Sequence, residues 1–129
     1  MHALTLLRIQ AHANRMANHR LHTTMAMLSP TELHATRTSF FPTLMATLNH
    51  ILWVDRYYID VLHGDSAARE TALAFVPDDT LTVLAARQCA SDERLLRWLM
   101  AADDAALDRT VHMPRPQGRI QSDAAAYML

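Results

Sequence analysis

Apolar side chains recur along most of this chain at the three- and four-residue steps of an α-helix, and that period predicts three long helices. The first spans about Leu4 to Leu28, carried by Leu6, Ile9, Ala13, Met16, Ala17, Leu21 and Leu28, before "SPTELHATRTSFFP" breaks it. Inside the break, Ser29 followed by Pro30 and Glu32 reads as the start of a short helical turn, because a serine hydroxyl and a glutamate three residues later can cap one another's backbone. The second helix starts at Pro42 and continues through "TLMATLNHILWVDRYYIDVLHG" until Gly64 stops it. After a connection rich in small and acidic residues, "DSAARETALAFVPDDT", Asp79 or Thr80 can cap a third helix that reaches Ala102 or Asp104. Its apolar line is Leu81, Leu84, Leu95, Trp98 and Leu99.

The C-terminal segment changes period. Leu107 to Met113 partly alternates, two prolines and Gly118 provide a turn, and Arg119 to Gln121 can return as a second short strand. Ser122 then offers a cap for "AAAYML", the start of a fourth helix that lasts about two turns. No repeat of fixed period interrupts this order, and 129 residues suit one domain covering 1–129. The expectation is therefore all-α: an antiparallel four-helix bundle with a small β-hairpin before an incomplete fourth helix. Such a bundle would leave apolar stripes uncovered, which predicts a homodimer that covers Trp53, Tyr57 and Val61 and exchanges Ala124 to Leu129.

Composition sharpens the choice of function more than the choice of fold. With two glycines and 6% aromatic residues the chain is poorly supplied for tight hairpins, in keeping with helices. A formal net charge of −1 provides no basic field for nucleic acid and no polybasic stretch for a membrane surface. No apolar run approaches the roughly 18–20 residues that cross a bilayer, and "MHALTLLRIQAHANR" has no leader pattern, so the reading is a cytoplasmic protein. The lone Cys89 has no disulfide partner in the chain and reads as a small buried or half-buried thiol within a helical pattern.

Two polar residues stand out in the second helix. At about 100° per residue, Asp55 falls among Leu48, Ile51, Tyr58, Ile59 and Leu62. A carboxylate there is costly unless hydrogen-bonded, so Asp55 should meet a donor on another helix. His50 lies on a different flank, in line with Val54, Tyr57 and Val61, facing a neighbour near its edge. A histidine in that place is either a hydrogen-bonded core residue or a metal ligand, since facing helices can hold ligands at fixed separation. His12, His19 and His22 share a side of the first helix that points away from its apolar line, which reads as solvated. His2, His34, His63 and His112 fall near ends and loops. Asp103 and Asp104 are adjacent and so diverge by about 100°, a poor arrangement for paired acid–base work.

The order "ANRMANHRL", "TSFFPTLMATLNHILWVDRYYIDVL", a third helix and "MPRPQGRIQSDAAAYML" resembles the DinB-like family, damage-inducible helical bundles of the YfiT-like type, over nearly the whole chain. "LNHILWVD" and the glycine-containing hairpin carry the resemblance. It implies a four-helix bundle, often a homodimer, that holds a divalent metal such as zinc or nickel with three histidines. One of these corresponds to His50. The other two belong to a His-x-x-x-His pair on the family's fourth helix, and the sequence reaches Leu129 before such a pair, which reads as a truncated family member. The implied activities are metal-dependent hydrolysis and transfer to a low-molecular-weight thiol, on a small-molecule substrate that the residues do not name. The alternative is a metal-free, non-catalytic dimerisation module in which His50 and Asp55 are structural.

Overall fold

The computed structural model describes residues 2–129. Three long helices form its frame: α1 (Ala3–Met25), α3 (Leu44–Leu62) and α5 (Leu81–Ala101). Three short helices, α2 (Pro30–His34), α4 (Ala68–Leu73) and α6 (Asp104–Asp108), lie in the connections, and a hairpin of β1 (Thr110–Pro114) and β2 (Ile120–Ala124) comes after them. The helix boundaries obey local chemistry. Ser29 and Glu32 form the reciprocal cap on α2, Thr43 caps α3 through the Ala46 N–H, and Gly64 ends α3 at a φ of 73° that a side chain would strain. Asp103 caps α6 through the Ala106 N–H.

α5 is the central helix, with α1 along one side and α3 along the other. Arg8 donates to the carbonyls of Leu99 and Ala102 at the far end of α5, while His22 and Ala85 border one cleft, so α1 and α5 run antiparallel. The pairings Asp55 with Gln88 and Asp60 with Arg94 advance together, so α3 and α5 run in the same direction. Parallel neighbours need a crossover, and the segment containing α4 supplies it.

Apolar packing divides into three connected groups. Leu33, Met45, Leu48, Leu52 and Leu84 fill one end; Ala11, Leu96 and Leu99 join α1 to α5; Val61, Leu62, Ala68, Val111, Met113 and Ala125 seat the hairpin and the last turn on α3. β1 and β2 pair antiparallel with His112 opposite Ser122, and the alternation turns Val111 and Met113 inward.

Several expectations are corrected. Ser122 belongs to β2 and its hydroxyl meets His112 Nδ1 at 2.7 Å; the chain then makes a single 3-10 turn, Ala125–Met128, instead of starting an α-helix. The ladder takes the serine that could have been a cap. The stripe expected to be open for a dimer is covered within the chain: Val61 is buried, Trp53 Nε1 donates to Ala72 of α4, and Tyr57 donates to Pro114 of β1. Ala125 is buried and its N–H bonds Arg109, so the terminal segment docks on its own chain. α1 is rotated from its sequence reading. Leu6, Ile9 and Met16 are 47%, 53% and 54% exposed, whereas Ala11 and Asn18 are buried against α5. Cys89 is exposed.

Candidate functional site

A polar seam crosses the frame from α1 through α5 to α3. Asn18, Gln88 and Asp92 are all buried, and Gln88 is only 1% exposed. Asn18 Nδ2 donates to both oxygens of Asp92 at 3.1 Å. Gln88 Nε2 donates to Asp92 Oδ1 at 3.1 Å and to Asp55 Oδ2 at 2.8 Å, so one amide holds two carboxylates from two helices. Asp55 thus has the donor on another helix that its position demands, though it is half-buried rather than enclosed.

Beside the seam, a groove of about 400 Å³ runs between α1 and α3 over α5. Leu7, Ala11, Ile59, Leu62 and Leu99 make its walls, Asp55 and Asp92 face it, and Leu129 borders one end. Burial pushes the Asp55 carboxyl above the usual carboxylate range; the Gln88 hydrogen bond opposes that shift and the Asp92 charge adds to it. The raised value favours the protonated group in the folded state. Its stabilising contribution is complete below the unfolded value of 3.8 and is lost as the pH rises through the folded value. Compared with Asp55→Asn, the native chain should lose stability across that window, measured by urea unfolding from about pH 3 to 7. Asp55→Ala leaves a Gln88 N–H unpaired and should cost on the order of 1–3 kcal/mol, most of which Asp55→Asn should restore. A flat difference between the native chain and Asp55→Asn would contradict this account.

The sequence reading missed Asn18, Gln88 and Asp92. The signal was a gap: the apolar line of α5 jumps from Leu84 to Leu95, and Gln88, Ser91 and Asp92 occupy the intervening inward positions, all buried.

His50 is remote from this seam in character. Its half-buried ring lies 4.4 Å, centroid to centroid, from Phe41 and 5.7 Å from Trp53, and it makes no hydrogen bond among the described residues. The other histidines do not join it. His12 and His19 are exposed as expected, but His22 is half-buried, and the three border a cleft of about 430 Å³ with Cys89, Asp92 and Glu93 on α5. Burial lowers the His22 pKa, against the pull of Asp92. His2, His34, His63 and His112 are exposed. Among the described residues no three His, Cys, Asp or Glu side chains come together to hold a metal ion. One imidazole does not make a three-histidine site, so these residues do not fit a complete metal centre.

No helix among the described residues is long and apolar enough to cross a membrane. No curated protein matches the chain. The sequence pattern of the DinB superfamily matches residues 13–129, which takes in α3 with His50, the seam and the hairpin. With a match across nearly all of its length, together with the helical frame and the C-terminal hairpin, the chain belongs to the DinB superfamily.

Proposed function

We propose that this chain contributes His50 to a divalent-metal site, with zinc or nickel as the ion, in an enzyme of the metal-dependent hydrolase or thiol-transferase type. The observation that supports this reading is the state of the His50 ring. It is held against Phe41 and Trp53 while neither nitrogen is engaged in a hydrogen bond among the described residues, so a neutral imidazole retains its lone pair for a ligand. Asp55, by contrast, is already committed to Gln88. No two of the eight histidines of the sequence stand four residues apart, so in this reading the other two imidazoles come from outside it. The protein would then work in the cytoplasm on a small molecule, with neither nucleic acid nor membrane as partner.

The test is metal content. The 129-residue chain is expected to hold zinc or nickel weakly, because one imidazole cannot close a site. Joined to a fourth-helix segment that carries a His-x-x-x-His pair, it should bind one metal ion per chain, and His50→Ala should abolish that stoichiometry. Unchanged metal in His50→Ala would sink the assignment.

A second reading has its own support in the outer face of α1. Leu6, Ile9 and Met16 are exposed there beside the small Ala13 and Ala17, a surface suited to a metal-free helical homodimer. Light scattering on the same samples separates the two: a dimer whose mass and metal content are indifferent to His50→Ala favours the second.

A further inference from the structure

A concentration of positive charge lies between α3 and α5, away from both the groove and His50. Arg87, Ser91 and Arg94 occupy one face of α5 at the spacing of successive turns, and the small Ala90 and Ser91 leave a depression between the two arginines. Arg56 of α3 borders the same depression, and the five residues line a cleft of about 320 Å³. Arg56 and Arg87 also border an adjoining hollow of about 490 Å³ with Phe75, Val76 and Pro77 along its wall. The two guanidinium groups stand 5.9 and 5.1 Å from the centre of the Phe75 ring.

Two of the three arginines are neutralised. Arg87 donates to both oxygens of Asp78 at 2.8 Å, and Arg94 pairs with Asp60. Arg56 has no ion pair and no hydrogen bond among the described residues, so the cleft keeps one uncompensated positive charge. The Ser91 hydroxyl is buried beside it without a partner. Val76 is 73% exposed on the adjoining wall, apolar surface that only a ligand or partner would remove from water.

We propose that this cleft binds a small organic carboxylate whose apolar or aromatic body lies along Phe75 and Val76. A carboxylate matches the guanidinium fork of Arg56 in shape and balances the one free charge. A phosphomonoester dianion would leave excess negative charge beside Asp60 and Asp78. The site lies about 120° around α3 from His50 and does not depend on a metal there.

Phenylacetate is the probe, titrated into the full chain with phenyl phosphate and inorganic phosphate as comparators. Amide NMR shifts locate binding and calorimetry gives affinity. Phenylacetate is expected to move the amides of Arg56, Phe75 and Ser91 first and to bind roughly tenfold more tightly than either phosphate. Arg56→Gln, which breaks no ion pair or hydrogen bond and gives up only the 5.9 Å approach to the Phe75 ring, should weaken it about tenfold with little change in Tm. Val76→Glu, an exposed change that places negative charge on the wall, should do the same. Equal affinity in both variants, shifts centred elsewhere, or phosphate binding as tight as phenylacetate would overturn the proposal.

Discussion

Asp92→Ala should destabilise the fold by about 3 kcal/mol, the cost of leaving the buried Asn18 amide without an acceptor and one of the two Gln88 N–H groups unpaired. The carboxylate takes both of its Asn18 contacts and one from Gln88, and both donors are buried. Asp92→Asn can keep its oxygen at the Oδ1 position, where Asn18 and Gln88 both donate, but turns its amide toward the Asn18 donor, so it should fall between the native chain and Asp92→Ala. The double variant Asn18→Ala, Asp92→Ala should cost less than the sum of its parts, because the orphaned Asn18 amide is then removed as well. Chemical denaturation measures all three. A change under about 0.5 kcal/mol for Asp92→Ala would mean that water reaches the seam and that α1, α5 and α3 are not tied through it.

The seam also explains how far the sequence could be read. Helical period and the Gly64 stop located α3, because Gly64 acts within a few residues of its helix, but the start read at Pro42 is two residues early: Thr43 is the cap and Leu44 the first helical residue. The Asp55 donor was foreseeable from one helix, since a carboxylate among leucines and isoleucines has few alternatives. Which residue supplies it was not, because Gln88 lies 33 positions away and is chosen by the parallel packing of α3 on α5. The hairpin was legible from alternation and Gly118, whereas the fate of Ser122 depended on whether a strand partner was present to claim it. For His50, sequence placed it on its own flank of α3, and the fold adds its aromatic neighbours and its unengaged nitrogens.

Leu52→Ala and Ile9→Gln should differ sharply, although both positions are apolar members of a helical pattern. Leu52 is 0% exposed and packs with Leu48, Leu84 and Met45 where α3 meets α5, so truncation removes buried methyl groups and leaves a cavity among side chains fixed on rigid helices. The expected cost is about 2–5 kcal/mol, read as a lower denaturation midpoint with an unchanged denaturant slope. Ile9 is 53% exposed on the outer face of α1, and replacing it with glutamine should move the stability of the isolated chain by no more than about 0.5 kcal/mol. Periodicity alone cannot separate them, because a helix in a frame of three can turn an apolar stripe either inward or outward, and the buried Asn18 with Ala11 fixes α1 in the second orientation. A cost for Ile9→Gln comparable to that of Leu52→Ala would show that the outer stripe of α1 is covered in solution by a second chain.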